Sequence, residues 1–265
     1  MKFRSIIPVI IGCAVSRIAG AQPVKGVYID AGGGAQIPFA AKNTSLEPGI
    51  AGTFDLNQQP GYDIRSSIGY AFGNGWRFEL EGVFGQSSLK GLSGTSFPSV
   101  GTGMVRNRGV MANGLFDLDV GSRYIYPYFG AGVGFQLTRL DGFMAVRTDK
   151  PSMFSASGLA SGVAGQAIVG LAFPLPNWPG LSFTLDYRAM DILGGEKFNG
   201  ASSIGLPPGS PSLTGAIKLH NQFENSVILS LHFAFGVQAS ASPAKSPTAV
   251  NSQTALFAVD PGKHP

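Results

Sequence analysis

The chain has 265 residues, and only 13% of them are Asp, Glu, Lys or Arg. Soluble domains average about 25% charged residues, so this composition argues against an ordinary soluble protein. No apolar run reaches the roughly 18 residues that a membrane-spanning helix needs. Such a chain either buries both faces of its strands or lies in lipid as a closed barrel, because only helices and closed barrels satisfy every backbone group in hydrocarbon.

The first residues predict an export signal. Lys2 and Arg4 precede a short apolar segment at 6–15, and small residues at 19–21 form a cleavage site, so residues 1–21 are expected to be a signal peptide. Removal of Lys2, Arg4 and Arg17 reduces the 19 basic side chains to 16, against 15 acidic ones. This nearly neutral balance gives no support to a nucleic-acid partner.

Cys13 is the only cysteine of the chain and lies inside the predicted signal peptide. Cleavage after Ala21 therefore leaves a mature chain without disulfide or thiol chemistry. In an alternative interpretation, Ile10-Ile11-Gly12-Cys13 is a lipoprotein processing site, and Cys13 becomes a lipidated N-terminus.

The first predicted strand runs from Val27 to Phe39 and alternates apolar with polar side chains. Gly32-Gly33-Gly34 lies inside it. Neither a helix start nor a P-loop lysine follows these glycines, so curvature or room for a bulky neighbour is favoured over a phosphate cradle.

A hairpin between Gly61 and Gln86 has the clearest strand pattern. Large apolar residues occupy every second position, which indicates a sheet with two different surroundings. The apolar positions are Tyr62, Ile64, Ile68, Tyr70, Phe72, Trp76, Phe78, Leu80 and Phe84. Gly73-Asn74-Gly75 separates the two runs, and Asn-Gly favours a tight type I′ turn because both of its central residues need positive φ.

The same alternation predicts five later strands, which complete an all-β, eight-stranded antiparallel up-and-down barrel. These strands span about 105–118, 126–140, 158–173, 181–190 and 219–235. Long connectors are expected at 40–60, 87–104, 141–157 and 191–216, and they alternate with short ones. Transmembrane barrels have short periplasmic turns and long extracellular loops, so this order predicts both termini in the periplasm.

The two faces of the predicted strands differ in charge. One face consists of Phe, Leu, Val, Ile and Ala, and the other carries nearly all the strand charge. A lipid-facing Lys or Arg at the bilayer midplane costs about 2–4 kcal/mol, so the apolar face is assigned to lipid. Arg106, Arg108 and Arg139 share the apolar parity near strand ends, where a headgroup interface is expected. Aromatic girdle residues at the short-turn ends are Trp76, Tyr126 and Trp178.

Four segments carry motifs that extend this interpretation. They are GYAFGNGWRFELE at 69–81, MANGLFD at 111–117, PYFGAGVG at 127–134 and NQFENSVILSLHFAFG at 221–236. These motifs resemble the small outer-membrane β-barrel family, which includes the OmpA-like barrels of proteobacteria. The resemblance implies a barrel over 22–236 that the outer-membrane assembly machinery inserts. It also implies that Phe233 and Phe235, in the aromatic last strand, form the assembly signal.

The polar face is expected to fill the barrel lumen with charges of both signs. The predicted lumen residues are Asp30, Arg65, Arg77, Glu79, Glu81, Asp117, Asp186, Arg188 and His232. Side chains just fill an eight-stranded barrel, so paired charges that close the lumen are favoured. The alternative is a narrow, gated, porin-like channel whose salt bridges rearrange.

Other functions remain open from the sequence. The four long loops suit a surface adhesin or a host contact, since loops on a rigid scaffold often carry binding sites. An enzyme acting on lipid acyl chains would use Ser226 and His220, but these lack an oriented third group, so no catalytic activity is expected. A secreted lipocalin-like barrel would turn its apolar face inward instead.

The final residues predict no further folded domain. Residues 237–265 have the Pro, Ala and Ser of a linker and are expected to be a disordered periplasmic tail without a peptidoglycan-binding domain. The expected location is the outer membrane of a Gram-negative cell. The expected partners are outer-membrane lipid, lipopolysaccharide and the assembly machinery, with no cofactor or metal.

Overall fold

A computed structural model describes most of the predicted barrel. The described residues are 25–38, 42–47, 50–93, 99–122, 124–148, 152–193, 196–205, 212–219 and 222–235. The predicted signal peptide, Cys13, His220 and the tail at 237–265 lie outside these ranges. Within them, no helix combines the length and the apolar character that crossing a membrane requires.

The described chain forms twelve strands. They are β1 (Lys25–Pro38), β2 (Lys42–Glu47), β3 (Ile50–Gln58), β4 (Gly61–Phe72), β5 (Trp76–Ser93), β6 (Ser99–Asp117), β7 (Tyr126–Arg147), β8 (Ser152–Pro174), β9 (Leu181–Leu193), β10 (Glu196–Gly205), β11 (Ser212–Leu219) and β12 (Gln222–Ala234). Every pairing between them is antiparallel.

Eight of these strands close a ring in the order β1-β4-β5-β6-β7-β8-β9-β12, with β12 pairing back to β1. Closure gives each strand of the ring a neighbour on both sides, which removes free sheet edges. The predicted eight-stranded antiparallel barrel is therefore confirmed. We call the end with the connections after Phe72, Asp117 and Pro174 the short-turn end, and the opposite end the distal end.

The remaining four strands lengthen the same barrel at its distal end. β3 pairs with β5 beyond the end of β4, β10 pairs with β8 beyond the end of β9, and β2 pairs with β11. β2 and β11 continue the register of β1 and β12. Pro38 lies opposite Glu224 and Thr44 lies opposite Lys218, so the same number of residues separates the two positions on each side of the pairing. We call β2, β3, β10, β11 and the distal parts of β5–β8 the distal extension.

The distal extension corrects the prediction of long loops. Much of 40–60 and 191–216 belongs to paired strands, and β5–β8 continue well into 87–104 and 141–157. Polar and small residues interrupt the apolar positions of these segments, so they lack the large apolar alternation that reveals the other strands. The hairpin turn also differs from the predicted two-residue type I′ turn, because it has three residues with Gly73 and Gly75 at positive φ.

The apolar face of the ring points outward. Phe78 and Leu80 are each 55% exposed, whereas Glu79 and Glu81 on the same strand are 8% and 1% exposed. Phe183 on β9 is likewise exposed, and Arg188 on that strand is buried. This orientation confirms the assignment of faces and excludes the lipocalin-like arrangement, in which the apolar face is internal.

Candidate functional site: the charged lumen

The centre of the lumen contains a carboxylate held between two arginines. Glu81 Oε1 accepts a hydrogen bond from Arg65 Nη1 at 2.9 Å, and Glu81 Oε2 pairs with Arg188. β9 is the fourth neighbour of β5 in either direction round the ring. The Glu81–Arg188 pair therefore crosses the full width of the lumen.

Each of these arginines also binds an aspartate two residues earlier on its own strand. Arg65 Nη2 lies 2.8 Å from Asp63 Oδ2, and Arg188 Nη2 lies 2.9 Å from Asp186 Oδ2. The two Asp-x-Arg segments place both side chains inward because residues i and i+2 of a strand share a face. All these groups are buried, so each charge depends on its partners to offset the loss of hydration.

Neutral side chains complete this central network. Gln166 on β8 donates to Glu81 Oε1 at 3.1 Å and to Asn113 Oδ1 at 2.6 Å, and its own carbonyl accepts from Arg65 at 3.0 Å. Ser226 on β12 donates to Asp63 Oδ2 at 2.7 Å. Hydrogen bonds therefore connect most of the strands around the lumen at this level.

Toward the short-turn end, Arg77 lies between two tyrosine rings. Its guanidinium carbon is 5.6 Å from the ring centroid of Tyr28 and 4.9 Å from that of Tyr128, within cation–π range. Arg77 Nη2 also pairs with Asp117 Oδ1 at 2.7 Å. Tyr128 donates its hydroxyl hydrogen to Asp186, which joins this layer to the central network.

Both tyrosines lie against glycine on the neighbouring strand. Tyr28 is the register partner of Gly69, and Tyr128 is the register partner of Gly170. A Cβ atom at either glycine would overlap the tyrosine ring. Glycine is needed at these two positions because a bulky aromatic side chain covers the backbone there.

Within the described ranges, Glu79 is stabilised by hydrogen bonds from neutral groups and has no arginine within ion-pair distance. It accepts hydrogen bonds from the Tyr28 hydroxyl at 3.0 Å, Asn113 Nδ2 at 2.9 Å and the Ser67 hydroxyl at 3.2 Å. Three neutral donors replace the hydration that this buried carboxylate loses.

Beyond the charged layers, an apolar cluster lies in the lumen beside further buried polar groups. Among these groups, Gln136 donates to Met190 Sδ at 3.0 Å, and Glu224 accepts from Asn107. The next residues toward the distal end form a buried cluster of Val83, Met111, Ala164, Met190 and Ile192. This cluster packs directly on the central network, because Val83 follows Glu81 on the inward face of β5 and Met190 follows Arg188 on that of β9. The described side chains thus fill the lumen at three successive levels.

The predicted lumen residues all lie on the inward face. Asp30, on β1, lies 3.5 Å from His232 Nδ1, and the remaining members belong to the two charged layers. Sequence reasoning missed several partners: Asp63, Tyr28, Tyr128, Asn113 and Gln166. Asp63 could have been assigned to the lumen because it has the same parity as Arg65 on β4. The other partners depend on which strands are neighbours.

The other predicted positions also have definite places. Phe233 and Phe235 lie on the outward face of the last strand, with ring centroids 5.0 Å apart in an edge-on arrangement. Trp76 packs against Phe116 at the short-turn end. Ser226 is buried in the central network, so it does not lie at a rim, where an enzyme acting on acyl chains would need it.

Comparison with known proteins agrees with this geometry. A family model for the outer membrane protein beta-barrel domain matches residues 5–206. The chain belongs to the outer-membrane β-barrel family. The match stops before β11, but strand pairing places β11 and β12 in the same barrel.

Individual relatives of this outer-membrane barrel are distant. An outer membrane protein of Gluconacetobacter diazotrophicus is 27% identical over 229 residues, which are 82% of this chain and 59% of that protein. The chain therefore spans less than two thirds of that relative. OprG from Pseudomonas aeruginosa aligns over 80% of this chain and 97% of its own, at 16% identity and a TM-score of 0.49. Neisserial surface protein A aligns over 80% and 99%, at 14% identity and a TM-score of 0.46.

Proposed function

We propose that this outer-membrane barrel is a closed structural protein of the cell surface that does not conduct ions. Its short-turn end would face the periplasm, and its distal extension would stand outside the cell. Aromatic side chains at the short-turn end and the short connections there support this orientation. In this proposal the assembly machinery recognises Phe233 and Phe235, and the tail at 237–265 remains periplasmic.

The Glu81–Arg188 pair is the observation that carries the proposal. It joins opposite walls of the lumen, and Gln166 and Arg65 occupy the space beside it. An open path would require these contacts to break. Leaving one member of a buried ion pair without its partner typically costs about 3–5 kcal/mol, so this pairing favours the closed lumen.

Electrical recording tests whether the lumen is closed. The full-length protein, inserted in planar bilayers, should show no reproducible openings. Glu81→Ala removes the carboxylate that joins both arginines and should produce intermittent openings or a leak. Leu80→Ala is the matched control, since it changes the adjacent outward side chain and leaves the lumen intact.

Frequent openings of the wild-type protein that Glu81→Ala and Arg77→Ala alter would overturn the proposal in favour of a gated channel. Heat-dependent migration in detergent gels should accompany each recording, so that an unfolded variant is not mistaken for a closed one.

A surface-binding role is the second candidate. The distal extension continues the barrel wall as paired strands, which would hold a rigid surface away from the membrane. We propose that any host or surface ligand binds there. Shortening the β10–β11 hairpin should abolish binding of whole cells to matrix or host cells while the ring still folds, and unchanged binding would exclude this role.

A further inference from the structure

Three arginines interrupt the apolar outward face of the barrel. Arg106 and Arg108 lie on β6 and Arg139 lies on β7, all at outward positions. A lipid-facing arginine at the bilayer midplane costs about 2–4 kcal/mol, so these side chains need either a shallow position or a bound anion.

Their depth places Arg106 and Arg139 at the edge of the lipid band and Arg108, opposite Phe84, two residues inside it. Arg106 pairs with Gln86, and Gln86 is ten residues beyond Trp76 on β5. Ten residues of strand tilted by about 40° rise roughly 25 Å, which is the height of the apolar band of an outer-membrane barrel. With Trp76 at one interface, the row of Gln86, Arg106 and Arg139 lies at the other.

The side chains of this row form a compact group with excess positive charge. Arg106 and Arg139 are direct register partners, and like charges in such positions repel. Asp141 relieves part of this repulsion by accepting from Arg106 Nη1 at 2.9 Å and from Arg139 Nε at 2.6 Å. One carboxylate therefore serves two guanidinium groups.

Arg108 is available to bind another anion. Its guanidinium carbon lies 5.5 Å from the ring centroid of Phe84, and in the described part of the chain no carboxylate pairs with it. Arginine offers five N–H donors in a planar fork that suits phosphate oxygens. Arg108 follows Arg106 by two residues on the same face, so the two can approach one anion together.

An apolar groove begins directly below Arg108. It has a volume of about 450 Å³ and walls formed by Ile64, Phe84, Val110, Phe135 and Leu137. Ser66 and Gly82 form its floor, where the outward face lacks large side chains. A positive rim above an apolar groove matches an acylated molecule with an anionic headgroup.

We propose that this groove and its three arginines bind one lipid A unit of lipopolysaccharide, with a phosphate at Arg106 and Arg108 and an acyl chain in the groove. The choice of an outer-leaflet lipid rests on the proposed orientation of the barrel. The binding chemistry itself does not, because detergent and nanodiscs expose both ends of the protein.

Binding of purified lipid A to the full-length protein in neutral nanodiscs tests this proposal. Bisphosphorylated lipid A should bind, and Arg108→Ala should weaken binding about tenfold, because a hydrogen bond between charged groups is worth at least that much. Arg106→Ala with Arg139→Ala should weaken it further. Lys25→Ala, which removes an exposed charge at the opposite end, is the matched control.

A second variant tests the contribution of the groove to binding. A Cβ atom at Gly82 would meet only Ser66 atoms at 3.8 Å, so Gly82→Leu should fold and fill the groove. It should weaken lipid A binding and leave the barrel's heat-dependent migration unchanged.

Equal binding of dephosphorylated lipid A, or wild-type affinity in Arg108→Ala, would overturn the proposal. Inorganic phosphate should also displace lipid A from the wild-type protein, which tests the site without any variant, and no displacement would count against it. A conducting lumen would refute the proposed function and leave these binding results unaffected.

Discussion

The interiors of the ring and the distal extension differ in polarity, although the same strands run through both. On β5, Glu79 and Glu81 are buried and Leu80 is exposed, but farther along Leu89 is buried and Lys90 is exposed. On β7 the inward face changes likewise, from buried Gln136 to buried Leu140, but Met144 and Val146 remain exposed on its outward face. Apolar side chains avoid water in both regions. Around the ring they face outward into lipid, and in the extension they face inward to a core. On β5, where both faces reverse, the reversal therefore marks where lipid ends.

The interior of the extension resembles that of a soluble protein. Its buried apolar side chains include Leu89, Val105, Leu140, Phe143, Ala156 and Phe198. The ring instead has buried ion pairs, whose stability depends on complete pairing. The two regions should therefore respond differently to substitution, and the following changes test that difference in order of expected effect.

Glu81→Ala should have the largest effect, lowering the free energy of unfolding by about 3–5 kcal/mol, because it leaves Arg65 and Arg188 buried without their shared carboxylate. Urea unfolding in lipid vesicles, followed by tryptophan fluorescence, measures this change. A loss below about 1 kcal/mol would mean that water reaches the arginines and that the central network is not dry.

Leu89→Ala should lower the unfolding free energy of the extension by about 2–5 kcal/mol, since it opens a cavity in an apolar core. Limited proteolysis should then cut within the distal extension while the ring keeps its heat-dependent migration. Resistance to proteolysis equal to that of the wild-type protein would contradict the assignment of Leu89 to a packed core. Ser88→Ala, at the adjacent outward position, is the control.

Gly170→Ala should lower the free energy of unfolding by about 1–3 kcal/mol, because the new Cβ overlaps the Tyr128 ring. Gly82→Ala, on the open outward face, should change it by less than about 0.5 kcal/mol. Equal effects of the two substitutions, measured by the same unfolding experiment, would contradict the packing of Tyr128 against β8.

Arg139→Ala should have the smallest effect on stability, at most about 1 kcal/mol, because its ion pair with Asp141 is largely exposed. Thermal unfolding at low and high salt provides the measurement. A larger loss that persists at high salt would show that Arg139 stabilises the barrel through packing that its exposure does not suggest.

Sequence patterns predicted the ring well and the extension poorly. Strand starts at Trp76, Tyr126 and Leu181 agree with the prediction, because glycine and proline mark the short turns and alternation of large side chains is strong beside them. Beyond Gln86 the polarity of the two faces of β5 reverses. A strand that changes its surroundings halfway carries no single alternating pattern, so the extension resembled loops.

The lumen charges could likewise be assigned from parity, but their partners could not. Which strand lies opposite β5 depends on the closed ring, and alternation along one strand does not reveal it. The tyrosine–glycine contacts depend on register, as Tyr28 with Gly69 illustrates. Sequence therefore identified most of the buried charges but not Asp63 or Glu224, and the topology supplied the network.

A scan of spin labels along the outward face of β5 tests the central claim most directly. Single-cysteine variants at Phe78, Leu80, Phe84, Ser88 and Lys90 would carry nitroxide labels in protein reconstituted into bilayers. Labels at 78, 80 and 84 should collide with oxygen dissolved in lipid, and those at 88 and 90 with a water-soluble nickel reagent. Access of the nickel reagent to position 80, or a lipid-like environment at position 90, would contradict a barrel whose polarity reverses at the edge of the membrane.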